Sequence, residues 1–378
     1  MKVGIPNETA SGENRVATVP DVIKRLTKKG IEIVVESGAG AGASIPDQQF
    51  ADAGATIATD PGDVWGADVV AKVRAPSTAE IGRLREGGVL IGFLAPLTSP
   101  ETTRALADAK VTAFAMEAIP RITRAQSMDA LSSQATVAGY RAVLIAGLDM
   151  GRFFPMLTTA AGTIKPASVL VLGAGVAGLQ AIATARRLGA QVTAFDVRSA
   201  VKEQVQSLGA KFLELDLDAD AEGSGGYAKA LDEDAQRRQQ EELAKAAGRF
   251  DVVITTALIP GKPAPKLLIE DAVRNMKPGS VIVDLAGEAG GNTEITEPGQ
   301  TIVRHDVTIA APLNLPGDMA EHASQLYARN IMALLELMAG DEGALELDWD
   351  DEIIKGAAIT RDGEIVHEGA KQATSAGA

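Results

Sequence analysis

The sequence contains no cysteine, which excludes disulfides, cysteine-ligated zinc, iron–sulfur clusters and thiol nucleophiles. Its three histidines, His305, His322 and His367, are too scattered to suggest a metal site. Long apolar runs are missing as well. No window approaches the ~18 uncharged apolar residues that a membrane span needs. The best stretch, residues 140–164, is interrupted by Arg141, Asp149, Arg152 and Pro155. The N-terminus turns polar within six residues, too soon for a signal peptide. A soluble chain is therefore expected, one that reaches a membrane only if another protein recruits it.

Positive charge is in deficit. There are 36 basic residues against 50 acidic ones, for a net charge of −14 and a pI of about 4.8. An acidic surface repels a phosphate backbone, so nucleic acid is not an expected partner. Aromatic residues make up only 3% of the chain, while 46% of residues are hydrophobic and 39 are glycine. That Ala/Val/Gly-rich profile suits an α/β protein and excludes collagen, coiled coil and disordered tails. At 378 residues the chain exceeds one ordinary compact domain, and ~100–200 residues per domain predicts two or three.

Short β-branched runs alternate with helical patterns, the signature of parallel sheets built from βαβ units. A first series of strands is read near residues 2–5, 31–35, 69–73, 89–93 and 111–115, with helices such as 20–29 and 100–109 between them. A second series runs 168–172, 191–195, 211–215, 251–255, 280–284 and 307–310. Two long helical stretches, 127–152 and 319–339, bracket that second series. They are read as connectors between two Rossmann-like lobes with mainly parallel sheets, arranged around a nucleotide cleft. Residues 1–131 plus 322–378 are expected to form the first, outer lobe, and 132–321 the nucleotide-binding lobe. The segment 346–367 is read as short strands or a hairpin that turns at Arg361-Asp362-Gly363 and returns to the first lobe. Residues 214–234 hold eight carboxylates against one base, Lys229, and a Gly223-Ser224-Gly225-Gly226 run. This is either a solvated loop or a mobile flap over a site. Residues 341–352 hold seven carboxylates and no base, read as solvated loop.

The sharpest motif follows the apolar strand Val169-Leu170-Val171-Leu172. It reads Gly173-Ala174-Gly175-Val176-Ala177-Gly178 and leads into a helical pattern. This is G-x-G-x-x-G in its required strand-to-helix context. The first glycine permits the tight turn, the second lets backbone approach a pyrophosphate, and the third allows close helix–strand packing. The helix N-terminus adds N–H donors and a positive dipole end. The next strand ends at Asp196, 18 residues past Gly178. A carboxylate there suits an adenosine ribose and repels a 2′-phosphate, favouring NAD(H) over NADP(H). Val197 and Arg198 follow, and an arginine at that place can accommodate a 2′-phosphate. Gly38-Ala39-Gly40-Ala41-Gly42 also follows a strand but lacks the third glycine spacing, and is read as a structural turn.

A second constellation lies where the first lobe gives way to the connector helix. Residues 120–134 carry Arg121, Gln126, Asp129 and Ser132, polar groups suited to orienting a nicotinamide carboxamide and holding its ring for hydride transfer. The structural alternative is a capping stretch, with Ser127 or Asp129 at the helix start.

Gly4-Ile5-Pro6, Glu13-Asn14-Arg15-Val16-Ala17, the 121–134 segment, the glycine loop, the run from Thr255 to Pro265 and the run from Asp284 to Asn292 together resemble the alanine dehydrogenase and nicotinamide nucleotide transhydrogenase superfamily. The resemblance spans essentially the whole chain. It is greatest to the soluble NAD(H)-binding domain I, or alpha-1 subunit, of proton-translocating NAD(P) transhydrogenase. It implies an oxidoreductase, an NAD(P)+ transhydrogenase active only with partner domains. NAD(H) would be bound here, and hydride would pass directly from NADH to NADP+ on a partner domain III. A membrane domain II would couple that step to proton translocation. It also implies a homodimer in the cytoplasm, peripheral on the inner face of the cell membrane through its partner subunits.

By the same resemblance Arg121, Gln126, Asp129 and Ser132 stand beside the nicotinamide. Gly173, Gly175, Val176, Ala177, Gly178, Asp196, Val197, Arg198, Gly226, Tyr227, Gln239, Ala257 and Leu258 contact the nucleotide, with Tyr227 on a loop that closes over it. The alternative is an NAD-dependent alanine dehydrogenase. That branch resembles this chain at Arg15 but uses a lysine and a histidine where Arg74 and Ala95 stand here, and aspartate where Glu288 stands. Those losses remove the groups that would polarise a keto acid and move its proton.

Overall fold

The computed structural model describes residues 1–215 and 232–376. These divide into two compact units, one of residues 1–134 and 316–378 and the other of residues 135–315.

In the first unit six short strands alternate with helices: β1 (Lys2–Ile5), β2 (Glu32–Glu36), β3 (Thr56–Ala58), β4 (Val69–Ala71), β5 (Val89–Gly92) and β6 (Thr112–Ala115). All pair in parallel, in the order β6-β5-β4-β1-β2-β3. Because β1 lies between β2 and β4, the order reverses there. The carboxyl ends of β1 and β4 therefore flank the switch point where open α/β sheets place ligands.

The second unit opens with an antiparallel hairpin, β7 (Leu157–Thr159) and β8 (Gly162–Ile164). Its main sheet holds β9 (Ser168–Leu172), β10 (Gln191–Phe195), β11 (Lys211–Phe212), β12 (Val252–Thr255), β13 (Val281–Asp284), β14 (Thr301–Arg304) and β15 (Val307–Ala310). The order β11-β10-β9-β12-β13-β15-β14 is parallel except at β14. Here the reversal falls between β9 and β12.

The apolar runs explain these sheets. Val169 and Val171 pack with Ile182 and Ala185 of the helix Val176–Arg187 on one face, while Leu170 and Leu172 pack with Leu243 and Ala247 on the other. A strand covered on both faces reads as an unbroken hydrophobic run, and each such buried side chain is worth roughly 1.5–3 kcal/mol.

The chain re-enters the first unit and adds β16 (Ala358–Arg361) antiparallel to β6, then β17 (Glu364–Ile365). Asp362 and Gly363 make the intervening turn in left-handed conformation. A helix, Glu352–Ala357, precedes them where only strands are read from the sequence; Asp351 caps it by accepting from the Ile353 N–H.

Other expectations need correction. The strand read at 211–215 ends at Phe212. Strands β3, β7, β8 and β14 escape the sequence reading because three of them have three residues and β14 has no buried position. The connector read at 127–152 begins at Ala130 and ends at Asp149, because residues Thr123–Met128 wind as a 3-10 helix. Its counterpart at 319–339 is the helix Ala320–Leu337. The 38–42 glycines form a turn that enters the 3-10 helix Ala41–Ala43.

Candidate functional site

The glycine loop begins where β9 ends. Gly173 has φ of +98°, and a Cβ placed on Gly178 would lie 1.9 Å from the Gly173 carbonyl oxygen. Both positions therefore require glycine. Beside Gly175 a Cβ would meet nothing within 4 Å, so this stretch of backbone faces open space at the N-terminus of the 12-residue helix Val176–Arg187. That is the arrangement a pyrophosphate needs.

Asp196 lies just past β10, and its carboxylate is tied to the same loop. It accepts from the Ala174 N–H at 2.7 Å. It also accepts from three groups of Arg198: the backbone N–H at 2.9 Å, Nε at 2.8 Å and Nη2 at 2.7 Å. The carboxylate expected to hold a ribose is thus clasped by Arg198, so the ribose hydroxyls must displace guanidinium bonds. Val197 and Arg198 are half-buried.

The other wall follows β12. Thr256 Oγ1 donates to the carbonyls of Leu172 and Gly173, stapling this loop to the glycine turn. Ala257 is half-buried, and Leu258 presents an apolar side chain that is 44% exposed. Gln239 projects from the helix Glu233–Ala247; its side chain is buried, and its Nε2 has no hydrogen-bond partner among the described residues. A buried amide N–H₂ without an acceptor is costly, and an acceptor on a bound nucleotide would relieve it. Gly226 and Tyr227 lie outside the described residues.

Arg121, Gln126, Asp129 and Ser132 belong to the first unit, on or beside the 3-10 helix Thr123–Met128 and the start of the helix Ala130–Asp149. Asp129 caps that helix: Oδ1 accepts from the Ser132 N–H at 2.9 Å and Oδ2 from the Ser132 hydroxyl at 2.6 Å. Capping and ligand contact are compatible roles here, because the pair is only half-buried. Arg121 and Gln126 are exposed. The sequence reading misses Asn330, buried on the helix Ala320–Leu337, which fixes the segment by donating to the Ser127 carbonyl and accepting from Ser133 Oγ. Its only signal is one amide on an otherwise apolar helical stripe.

The sequence reading also misses the charged cluster at the first unit's switch point. Lys72, just past β4, is buried between Glu8 at 3.5 Å and Glu80 at 3.1 Å. Glu8 also accepts from the Val73 and Arg74 N–H groups. Burial nevertheless raises its pKa above the ordinary carboxylate value, against the pull of Lys72. Arg15 is clasped by Glu13 through Nε at 2.8 Å and Nη2 at 2.6 Å, and its Nη1 donates to Gln134 at 2.8 Å. Burial works to raise the Glu13 pKa, but the hydrogen bonds and charge of Arg15 outweigh it and hold the pKa low. Arg74 joins the same carboxylate at 3.4 Å, and Ala95 donates its N–H to half-buried Glu117.

Two family models account for nearly all of this chain: the alanine dehydrogenase/PNT N-terminal domain matches residues 4–138, and the C-terminal domain matches residues 142–368. The chain belongs to the alanine dehydrogenase/PNT family. Within it, the chain is 52% identical over 376 residues to an NAD(P) transhydrogenase subunit alpha chain of Rhodospirillum rubrum, covering 97% of this chain and 98% of that one. Alanine dehydrogenase of Mycobacterium tuberculosis is more distant, 32% identical over 372 residues, covering 91% and 94%. The solved structure of transhydrogenase from Sinorhizobium meliloti matches with a TM-score of 0.86 at 46% identity, covering 97% of this chain and 99% of that one. The chain thus stands with the transhydrogenase alpha subunits of the alanine dehydrogenase/PNT family, and its two parallel-sheet units are the family's architecture.

Proposed function

We propose that this chain is the NAD(H)-binding component of a proton-translocating NAD(P) transhydrogenase. The observation that carries this reading is the glycine loop at the β9/β12 switch point. Its open Gly175 backbone lies beside a carboxylate, Asp196, that is hydrogen-bonded to the loop itself. The orphaned amide of buried Gln239 supports it from the same unit.

The residues present fit the dinucleotide. N–H groups at the start of the helix Val176–Arg187 would hold the pyrophosphate. Asp196, released in part from Arg198, would accept the ribose hydroxyls. Ala257, Leu258 and Gln239 would line the nucleotide, with Gly226 and Tyr227 completing its cover. Arg121, Gln126, Asp129 and Ser132 would orient the nicotinamide carboxamide. When bound, NADH supplies a hydride that carries both electrons, so these residues need only position it and no general base is required.

In this reading NADP(H) is held by a separate domain III, and proton movement belongs to a membrane domain II. None of the helices among the described residues is long and apolar enough to cross a membrane. The chain would work as a homodimer, peripheral on the inner face of the cell membrane through those partners. Arg15 argues against a small-acid substrate: its guanidinium is bonded to Glu13 and Gln134 inside the unit.

Stopped-flow mixing of this protein and NADH with an NADP+-loaded domain III tests the reading. Reduction of the bound NADP+ that requires both proteins supports it. Turnover of pyruvate with ammonium, and none with domain III, overturns it in favour of an amino-acid dehydrogenase. Within the assay, Gln126→Ala is expected to slow hydride transfer about tenfold or more while changing NADH affinity little; equal losses in both would reduce Gln126 to a binding role.

A further inference from the structure

We propose that Asn292 is a positioning residue of the nucleotide site, one that sets the Ala257 and Leu258 wall through the loop's backbone. The proposal rests on the reading above and extends it to a residue outside the glycine loop. Asn292 is fully buried, and its side chain has one acceptor and two donors. All three are committed to the 256–265 loop: Oδ1 accepts from the Ala257 N–H at 3.0 Å, and Nδ2 donates to the carbonyls of Ala257 and Pro265, both at 2.8 Å. One side chain thereby brackets both ends of a loop that contains Pro260, Gly261 and Pro263 and has no helix or strand of its own.

The bracket is anchored on a rigid base. Asp284, at the end of β13, accepts from Thr255 Oγ1, the Ala286 and Thr293 N–H groups and Thr296 Oγ1. The Asn292 carbonyl accepts from the Leu267 and Leu268 N–H groups, and Lys266 Nζ donates to the carbonyls of Gly290, Gly291 and Thr293. The two loops beyond β12 and β13 are therefore zipped together, with Leu258 left exposed at the free end. An apolar side chain such as that of Leu258 has no polar group that could hold it. Its place follows from the Ala257 backbone, and that backbone is fixed by Asn292.

Asparagine is the residue this geometry requires. Aspartate keeps the acceptor for the Ala257 N–H but sets a carboxylate oxygen against two carbonyls. Serine has one donor and is too short to span both ends. The test is NADH binding, followed by quenching of NADH fluorescence, for the wild type, Asn292→Asp, Leu258→Ala and the double variant. Asn292→Asp is expected to raise the NADH dissociation constant about tenfold in the wild-type background and no more than about twofold in the Leu258→Ala background. Equal losses in both backgrounds would show a general destabilisation and overturn the proposal, as would wild-type affinity in Asn292→Asp. If Asn292→Asp fails to fold, Asn292→Ser replaces it with the same expected pattern, and failure of both to fold assigns Asn292 a purely structural role and overturns the proposal. Absence of NADH binding in the wild type would instead sink the functional reading itself, and the proposal with it.

Discussion

The two sheets reverse their strand order in the same way, at β1/β4 in the first unit and at β9/β12 in the second, yet the crevices beyond those strands are furnished oppositely. The first is filled by its own side chains: Glu8, Glu13, Arg15, Lys72 and Glu80 pair among themselves away from water. The second is lined by glycine backbone, an exposed leucine and a carboxylate held at the edge. One local device occurs in both. Glu13 with Arg15 and Asp196 with Arg198 are the same clasp at the same spacing, each with a backbone N–H and two guanidinium nitrogens on one carboxylate. In the first unit Gln134 and Arg74 seal it. In the second it borders the glycine loop, and its arginine is half-buried. A switch point thus offers a site only where the chain leaves it unfilled, and the clasp is structural or openable according to what surrounds it.

The strongest way to break that contrast is Glu13→Ala. It leaves the Arg15 guanidinium buried with one amide partner, and an uncompensated buried charge costs about 3–5 kcal/mol. Chemical denaturation is expected to show that loss, with NADH affinity of the folded fraction unchanged. A cost near zero would mean that the first clasp is as dispensable as a surface pair.

Asp196→Ala tests the openable clasp. Here the expected effect is on cofactor choice: the preference for NADH over NADPH should fall by roughly ten- to a hundredfold, because the ribose loses its acceptor and a 2′-phosphate loses its repulsion. Arg198→Ala sharpens the result. It removes the competitor for the carboxylate, so NADH affinity should stay within about threefold of wild type, whereas binding of NADPH should weaken. An unchanged preference in Asp196→Ala would place discrimination outside the clasp.

Much of this architecture is legible in the residues. Strands such as β1, β9, β10 and β15 are largely apolar runs, because burial on both faces leaves little room for polar alternation. The glycine loop is legible because its glycines answer steric demands of the turn. What the sequence hides is what depends on distant parts of the chain. Lys72, Glu8 and Glu80 look like ordinary surface charges until separated segments bring them together. Asn292 looks like a turn residue until the 256–265 loop folds over it. The capping and nicotinamide readings of Asp129 cannot be separated in the sequence, since one carboxylate at a helix start serves both.

The smallest expected effect sets a carboxyl of the first unit against one of the second. Burial of the Glu117 carboxyl raises its pKa even though the N–H groups of Glu117 itself, Ala95 and Leu94 pull it down. The folded state therefore holds this proton at pH values where the unfolded chain has released it. Stability from this group is present below the unfolded carboxylate range and is lost as pH rises through the raised folded pKa. Glutamine carries no charge at any pH. The melting temperature of Glu117→Gln should accordingly climb relative to wild type between about pH 4 and 8, by a few degrees at most. Asp251, at the foot of β12, is the opposite case. Burial pushes its pKa up, but hydrogen bonds from Ser168 and Lys277 outweigh that push and hold it below the ordinary value. Stability from Asp251 is present above the unfolded pKa and lost as pH falls through the folded one. Asp251→Asn should therefore fall relative to wild type as pH rises through the carboxylate range. A flat difference for Glu117→Gln, or a climb for Asp251→Asn, would mean that the balance of burial against hydrogen bonding does not set these two carboxyls apart.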